Sequence, residues 1–308
     1  MNKQIIVVGV NGFVGKHLAK EISSQGHDVI GVGMDEAVSI DISNVVTQYV
    51  QCDFTKPESI AQLDLATVDA IINLAGLTNV GDSFKEAEAY IKVNVIVHTN
   101  IAEYARSIDK KVRIVAISTG AVYNSAQPMP LNEASELTNS GSPYAMSKIA
   151  MEKALQEYID SGSDIVIARP FNHIGPGQLK GFLVPDLSEQ VYTSEELTVG
   201  NLDTERDYTD VRDVVKAYVK LALLENPTHR LYNICSGKSV KGSAILEIIK
   251  NKLGKNNLKV TVDPARIRIS DPPLFIGDSS RLRSETGWAP TIELGTTIQD
   301  YLDSAFKS

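Results

Sequence analysis

The glycine-rich segment near the start of the chain constrains the fold more than any other feature of the sequence. An apolar run at residues 4–8 predicts a buried parallel strand, and residues 16–24 carry a helical pattern. Between them the sequence reads G-V-N-G-F-V-G. Glycines at this spacing let the backbone turn tightly and bring a diphosphate against the amino end of the helix. The segment therefore predicts a dinucleotide site formed by Gly9, Asn11, Gly12, Phe13, Val14 and Gly15.

The choice between NAD and NADP stays open at this level. A second strand is predicted at residues 28–32, and the position after it commonly carries an acid that binds the adenosine ribose of NAD. Gly33 stands there instead, followed by Met34, Asp35 and Glu36. No Arg or Lys stands nearby to hold the 2′-phosphate of NADP, and the two acids would repel it. The expected cofactor is therefore NADPH or NADH.

Two later segments are expected at the same cofactor, because each follows a predicted strand. Asp53 and Phe54 come directly after a strand at residues 47–51. The Asp53 carboxylate is suited to accept a hydrogen bond from the adenine amino group, although an Asp in a loop is more often a turn residue. A fourth strand at residues 71–76 ends in small residues, at the edge where ligands cross an open sheet. Its predicted cofactor contacts are Leu74, Ala75 and Gly76.

A threonine, a tyrosine and a lysine form the candidate reaction centre. Tyr144 and Lys148 lie in S-P-Y-A-M-S-K, one helical turn apart on one face, and Thr119 precedes them in I-S-T-G-A-V-Y. An ammonium favours a neighbouring phenolate, so we expect the pKa of Tyr144 to fall below its ordinary value. Such a phenol exchanges a proton with a hydroxyl or carbonyl group during hydride transfer, while Thr119 steadies the same oxygen. An exposed Tyr/Lys pair would show the same spacing, so the motif gains its meaning from the preceding dinucleotide site.

The order of elements predicts an α/β fold, a doubly wound parallel sheet of the Rossmann type with a smaller C-terminal α/β substrate domain. Helices are predicted at residues 84–108 and 143–158, and further strands at residues 112–118 and 165–168. Such alternation implies a parallel sheet with helices on both faces. From Phe171 onward Gly and Pro become more frequent. We therefore assign residues 1–170 to the dinucleotide-binding domain and residues 171–308 mainly to the substrate domain, interleaved with late elements of the sheet.

Composition excludes several classes of function. A net charge of −8 argues against a nucleic-acid surface. The five histidines and two distant cysteines show no metal-ligand spacing, so no metal site is predicted. Cys52 and Cys235 are interpreted as buried thiols in a reducing compartment. The start of the chain lacks a signal pattern and no apolar run approaches a membrane span, which predicts a cytoplasmic location without membrane contact.

Taken together, the motifs resemble those of the extended short-chain dehydrogenases/reductases, the NAD-dependent epimerase/dehydratase family. The resemblance rests on G-V-N-G-F-V-G, N-L-A-G, K-V-N-V, I-S-T-G-A-V-Y, Y-A-M-S-K and T-G-W-A-P. Further along, R-P-F-N-H-I-G-P-G-Q, F-L-V-P-D-L, V-G-N-L-D and R-D-Y-T-D-V-R-D are similar to the GDP-6-deoxy-4-keto-mannose reductases. The resemblance implies reduction of the 4-keto group of a nucleotide-diphospho-4-keto-6-deoxyhexose, from GDP-4-keto-6-deoxy-mannose to GDP-D-rhamnose.

The resemblance also implies roles for individual residues. Arg206 and Arg268 match arginines that clamp the substrate diphosphate, a task suited to a planar and permanently charged fork. The implied substrate contacts are Thr119, Tyr144, Asn172, Val184, Arg206 and Arg268. The implied cofactor contacts beyond the loops above are Asn94, Tyr144, Lys148, Pro170 and His173. A core-facing polar residue would also explain Asn94, and a structural histidine would equally explain His173.

Three other functions are weighed against reduction. The 4,6-dehydratases of the superfamily carry an acid pair directly after the threonine, where this chain has Gly120 and Ala121, so elimination lacks its acid and base. A carbon-4 epimerase uses the same triad, and only the downstream motifs favour the reductase over it. A non-catalytic dinucleotide-sensing protein is the third possibility, against which the intact triad argues.

The resemblance further implies a homodimer in which the two long helices pair across a two-fold axis as a four-helix bundle. The apolar positions expected to take part are Ile91, Val95, Ile101, Ile149, Leu155 and Ile159.

Overall fold

The computed structural model describes residues 2–108, 110–266 and 272–307. Its strands are β1 (Gln4–Val8), β2 (Asp28–Gly33), β3 (Gln48–Gln51), β4 (Ala70–Asn73), β5 (Arg113–Ile117), β6 (Ile165–Pro170), β7 (Asn172–Ile174), β8 (Glu196–Val199), β9 (Glu205–Asp210), β10 (Leu231–Ile234), β11 (Ser239–Lys241), β12 (Lys259–Val262) and β13 (Leu274–Phe275). Its helices are α1 (Phe13–Ser24), α2 (Pro57–Ile60), α3 (Val80–Ser83), α4 (Ala87–Arg106), α5 (Pro143–Asp160), α6 (Leu183–Thr193), α7 (Val211–Leu223), α8 (Gly242–Leu253), α9 (Ser280–Thr286) and α10 (Leu294–Phe306).

Seven parallel strands form the main sheet, in the order β10-β6-β5-β4-β1-β2-β3. The order reverses between β1 and β4, which opens a crevice at the carboxyl ends of these strands. The glycine loop follows β1 and the small residues follow β4, so both predicted cofactor segments meet at this crevice. The doubly wound Rossmann fold predicted from the sequence is therefore confirmed.

Both faces of this sheet are covered, which explains why its strands are almost continuously apolar. Successive side chains point to opposite faces. One face buries Ile5 and Val7 together with Leu18 of α1 and Tyr218 of α7. The other face buries Ile6 and Val8 with Val97 of α4 and with Met151 and Leu155 of α5. Tight packing on this second face fixes α5, the helix that carries Tyr144 and Lys148.

The later part of the chain builds a smaller layer beside the carboxyl edge of the sheet. Strand β9 pairs with β7, β11 and β13, and β8 pairs with β12. Helices α6, α8 and α10 enclose a separate apolar core. Strand β10 and helix α7 lie with the main sheet instead. Cys52 and Cys235 are buried and unpaired, as expected.

The helical region after β4 differs from the single helix predicted at residues 84–108. The structure has a short α3 and then α4, which begins at Ala87. Asn79 caps α3, because its side chain accepts a hydrogen bond from the Asp82 amide (3.1 Å), and its carbonyl accepts one from the Tyr90 hydroxyl of α4 (2.7 Å). A side-chain cap of this kind allows a short separate helix to form before the long one.

Three of the apolar positions expected at a partner are buried inside the chain, so that part of the prediction is wrong. Ile101, Ile149 and Leu155 are at most 5% exposed, because α4 and α5 pack them against the sheet and its connections. Ile91 is 48% exposed, and Val95 and Ile159 are partly exposed. No helix within residues 2–108, 110–266 and 272–307 has the length and apolar character that crossing a bilayer requires.

Candidate active site

The glycine loop forms a cradle between β1 and α1. A Cβ atom at Gly15 would lie 2.2 Å from the Gly9 carbonyl oxygen, so only glycine allows this approach of helix to loop. The Gly12 amide donates to the Gly9 carbonyl (3.1 Å), and α1 begins after Gly12 without a side-chain cap. Uncapped amides at a helix N-terminus are suited to bind a diphosphate. The residues present therefore fit the predicted dinucleotide.

Asn11 links this cradle to the acidic loop after β2. Its amide nitrogen donates to the Asp35 carboxylate (2.7 Å), and its amide oxygen accepts from the Ser39 backbone (2.8 Å). The Tyr49 hydroxyl donates to the Asp35 carbonyl from the neighbouring strand (2.8 Å). These contacts hold the Asp35 carboxylate close to the glycine loop. Asp35 follows by two residues the position of Gly33, where NAD-binding proteins commonly carry an acid.

Asp53 stabilises a turn. Its carboxylate accepts hydrogen bonds from the Thr55 amide (3.0 Å) and hydroxyl (2.7 Å) and lies 3.3 Å from the Lys56 ammonium. Hydrogen bonds from Thr55 hold the pKa of Asp53 below its ordinary value. The neighbouring Phe54 is buried, and its carbonyl accepts from Asn100 of α4 (3.0 Å). Contact of Asp53 and Phe54 with adenine stays a prediction.

Asn94 braces the loop that follows β4. Its fully buried side chain accepts from the Leu77 amide (2.8 Å) and donates both to the Leu77 carbonyl (3.1 Å) and to the Ser147 hydroxyl (2.8 Å). Gly76 has a φ of 155°, and a Cβ atom there would lie 2.7 Å from the Asn94 amide oxygen. The loop Leu74–Ala75–Gly76 is therefore fixed against α4 and α5. Whether Asn94 also touches the cofactor stays a prediction.

Thr119, Tyr144 and Lys148 meet at the tip of β5. Ser142 caps α5 by accepting from the Ala145 amide (3.2 Å), and so places Tyr144 in the first turn of the helix. The Lys148 ammonium donates to the carbonyl of Ile117, the last residue of β5 (2.7 Å). Thr119 lies within hydrogen-bonding reach of Tyr144. The predicted trio is therefore brought together beside the cofactor crevice.

The electrostatics of Tyr144 differ from the sequence-based expectation. Burial raises the pKa of its phenol above the ordinary value, and the nearby Thr119 hydroxyl offsets only part of that rise. The expected lowering by Lys148 is wrong for this structure, because burial dominates the pKa of Tyr144. The Lys148 ammonium donates to the Ile117 carbonyl and not to the phenol. Burial also lowers the pKa of Lys148 to about 8. At neutral pH Tyr144 is therefore a protonated phenol, the form that donates a proton.

The segment after β6 crosses from the sheet to the smaller layer. Pro170 is buried at the end of β6, and the His173 ring stacks on Phe13 of the glycine loop with centroids 6.3 Å apart. Burial lowers the pKa of His173, so its ring is neutral at pH 7. Asn172 is exposed and donates weakly to the Asp207 carbonyl (3.4 Å). His173 thus lies on the cofactor side and Asn172 on the smaller layer.

Two of the predicted nucleotide-sugar contacts, Arg206 and Val184, lie in this smaller layer. One nitrogen of the Arg206 guanidinium donates to the carbonyls of Glu205 and Pro272, both at 2.8 Å. Arg268 lies outside the described residues, in the segment directly before Pro272. The Val184 side chain is buried in the core of the layer, so only its backbone in the first turn of α6 is placed to meet a substrate.

Sequence reasoning missed a buried polar cluster behind the trio. Glu152 of α5 accepts hydrogen bonds from Ser118 and from Arg169 of β6 (2.9 Å from Nε). All three side chains are less than 10% exposed. The sequence did indicate that Glu152 lies near the trio, because it follows Lys148 by one helical turn on the same face.

Comparison with known proteins agrees with this geometry. Residues 5–235 match the model of the NAD dependent epimerase/dehydratase family. GDP-6-deoxy-D-mannose reductase from Pseudomonas aeruginosa is 31% identical, over 98% of this chain and 97% of that protein. GDP-6-deoxy-D-talose 4-dehydrogenase from Aggregatibacter actinomycetemcomitans is 28% identical, over 92% of this chain and 91% of that protein.

The structural comparison extends over the same length. The structure of RMD from Pseudomonas aeruginosa complexed with NADPH superposes with a TM-score of 0.84 and 28% identity, covering 98% of each chain. The family model, the near full-length relatives and the shared fold lead to one conclusion: the chain belongs to the NAD-dependent epimerase/dehydratase family, whose nucleotide-sugar enzymes use NAD(H) or NADP(H).

Proposed function

We propose that this chain reduces the 4-keto group of a nucleotide-diphospho-4-keto-6-deoxyhexose, with GDP-4-keto-6-deoxy-mannose as substrate and GDP-D-rhamnose as product. The observation that carries the proposal is the buried, protonated Tyr144 beside Thr119 at the carboxyl edge of the sheet. The choice of sugar and base is supported by the relative that is 31% identical along almost its whole length.

The roles of the trio follow from their positions. A bound NADPH or NADH supplies the hydride for carbon 4. Tyr144 donates its proton to the carbonyl oxygen, which becomes the new hydroxyl, and Thr119 donates a hydrogen bond to the same oxygen. Lys148 holds the nicotinamide ribose through its ammonium, which the Ile117 carbonyl orients (2.7 Å). Gly120 and Ala121 follow Thr119 without an acid or base, so the site lacks the groups that removal of water requires.

We expect the nucleotide to be selected in the smaller layer, by Arg206 and Arg268 at the diphosphate and by Asn172 nearer the sugar. Competition between free nucleotides and the substrate tests this assignment. GDP is expected to inhibit turnover at much lower concentration than dTDP or CDP, since only GDP carries the predicted base. Equal inhibition by all three would refute the GDP assignment and leave the reductase chemistry standing.

A carbon-4 epimerase is the second candidate, because it uses the same trio and the matching family includes such enzymes. The two reactions differ in cofactor balance. An epimerase keeps its cofactor and interconverts sugars without net oxidation, whereas a reductase consumes one reduced cofactor per sugar. Nucleotide-sugar epimerisation by the purified protein without added cofactor would favour the epimerase. Tight cofactor binding with no turnover on either substrate would favour a sensing protein.

We also expect a homodimer that pairs α4 and α5 across a two-fold axis as a four-helix bundle. Ile91 on α4 is 48% exposed, and Phe84, three residues before the start of α4, is 67% exposed. Both offer apolar surface for such an interface. A self-complementary patch of this kind closes most simply as a two-fold dimer. Light scattering at micromolar concentration should give twice the 33.5 kDa mass of the chain. A strictly monomeric mass would contradict the prediction.

A further inference from the structure

Glu152 is an acidic side chain buried directly behind the reaction centre. It follows Lys148 by four residues and Tyr144 by eight, so the three side chains share one face of α5. Glu152 is 7% exposed and Lys148 is 3% exposed. Burial of a carboxylate destabilises the folded state unless the group is paired and hydrogen-bonded. The partners of Glu152 therefore indicate what the residue does.

The contacts of Glu152 join three elements of the site. The Ser118 hydroxyl donates to it from the tip of β5. Arg169, from the end of β6, donates through Nε to one carboxylate oxygen (2.9 Å) and through Nη2 to the other. The Arg169 guanidinium also lies over the ring of Tyr123, 4.7 Å from its centroid. Glu152 therefore connects α5 to the strands that carry Thr119 and the Pro170–His173 segment.

The tip of β5 meets α5 through successive residues. Ile117 accepts from the Lys148 ammonium (2.7 Å), Ser118 donates to Glu152, and Thr119 lies in hydrogen-bonding reach of Tyr144. Three consecutive residues of the chain thus engage three successive turns of the helix. A shift of α5 along β5 would disturb all three contacts together, so the Ser118–Glu152 bond helps to set the register of the trio.

The charge of Glu152 acts on the same lysine. Burial lowers the pKa of Lys148, the negative charge of Glu152 raises it, and the balance lies at about 8. Among the described residues, the other titratable groups next to Lys148, Tyr144 or Glu152 are Tyr90, His98, Arg169 and Tyr218. Burial keeps the pKa of His98 well below its ordinary value and raises the pKa values of both tyrosines, so these groups are neutral at pH 7. Arg169 is cationic and is paired with Glu152.

We infer that Glu152 is a positioning residue, which keeps the Lys148 ammonium charged and in register with the tip of β5. The role of Lys148 at the nicotinamide ribose belongs to the proposed function. The charge effect of Glu152 is separate from the choice of sugar, so it is measurable without any substrate.

The test is the pH dependence of NADPH and NADH binding, followed by nicotinamide fluorescence from about pH 6 to about pH 10, a range that spans the titration of a buried lysine. Affinity in the unchanged protein is expected to fall as pH rises through the Lys148 pKa, about 8, because the ammonium that holds the ribose is lost. Glu152→Gln removes the favourable charge and leaves Arg169 unbalanced. Both changes lower the Lys148 pKa, so the midpoint should move down by roughly one pH unit or more.

Two variants separate charge from structure. Glu157→Gln makes the same change at an exposed position of α5 and should leave the midpoint in place. Glu152→Asp keeps the charge and should return the midpoint toward that of the unchanged protein, even where the shorter side chain lowers affinity at every pH. A merely structural Glu152 would lower affinity or thermal stability without moving the midpoint.

The outcomes are distinct. The inference is overturned if folded Glu152→Gln has the same midpoint as the unchanged protein. It is also overturned if the cofactor affinity of the unchanged protein does not change across the pH range. If Glu152→Gln fails to fold, the double variant Glu152→Gln/Arg169→Gln removes both charges of the pair and leaves no unpaired buried charge. Its midpoint should still lie below that of the unchanged protein, because the charge of Glu152 is the one that acts on Lys148, and an unmoved or raised midpoint overturns the inference. Failure of the proposed function looks different, because the binding titrations would behave as expected while no keto-sugar is reduced.

Discussion

Tyr144→Phe should retain cofactor binding and lose ketone reduction by about 10²- to 10⁴-fold, the usual contribution of a general acid. The ring stays in place, so its edge-to-face packing on Tyr90, with centroids 6.4 Å apart, is kept. Only the hydroxyl that donates the proton is removed. Turnover measured at saturating cofactor, together with the cofactor Kd from nicotinamide fluorescence, separates the two effects.

Tyr158→Phe is the matched control, because Tyr158 is on the same helix and lies against Arg106, away from the crevice. It removes the same atom and should leave turnover close to that of the unchanged protein. Near-full activity of Tyr144→Phe would remove this phenol from the mechanism. Equal losses in both variants would point to a general weakening of α5.

Arg206→Ala should weaken binding of the nucleotide sugar while the affinity for NADPH or NADH barely changes. A charge-assisted and bidentate contact to a diphosphate contributes on the order of 1.5–3 kcal/mol, which corresponds to roughly 10- to 150-fold in Kd. The carbonyls of Glu205 and Pro272 hold the Arg206 guanidinium in the smaller layer. The dinucleotide is expected over the main sheet instead. Calorimetric titration of each variant with GDP and with the cofactor gives both affinities.

Arg281→Ala serves as the control for loss of one positive charge, since Arg281 lies 3.7 Å from Glu133 and donates to the Leu231 carbonyl (3.0 Å). Its effect on GDP binding should be small. Arg206→Lys should recover only part of the affinity, because a lysine keeps the charge and loses the planar fork. If Arg206→Ala binds GDP as tightly as the unchanged protein, the diphosphate does not lie against Arg206.

Features set by local sequence were predictable. The glycine loop depends on the close approach of Gly9 and Gly15, which are only six residues apart in the chain. The parallel sheet follows from alternation of apolar strands and helices, a pattern that tertiary packing seldom overturns. The spacing of Tyr144 and Lys148 on one helical face likewise depends only on helix geometry.

Features set by burial and by long-range contacts were not predictable. The pKa of Tyr144 depends on how deeply α5 is buried. The Ile117 carbonyl that accepts from the Lys148 ammonium is likewise a long-range contact, between residues 31 apart in the chain. Ile101 and Leu155 were expected at a partner helix, but packing within the chain buries both in the core. An apolar position on a helix does not by itself show whether it faces the core or a partner. The Glu152–Arg169 pair joins a helix to a strand, and periodicity alone does not show which strand lies beside a helix face.

The central claim, reduction of a nucleotide 4-keto sugar, is tested most directly by incubating the protein with GDP-4-keto-6-deoxy-mannose and either reduced cofactor. The nicotinamide absorbance and the sugar product, analysed by nuclear magnetic resonance, are followed together. We predict loss of one reduced cofactor for each keto-sugar consumed, with a hydroxyl at carbon 4 of the GDP-linked product. Conversion of the sugar without net oxidation of the cofactor, or no conversion with either cofactor, would contradict the account.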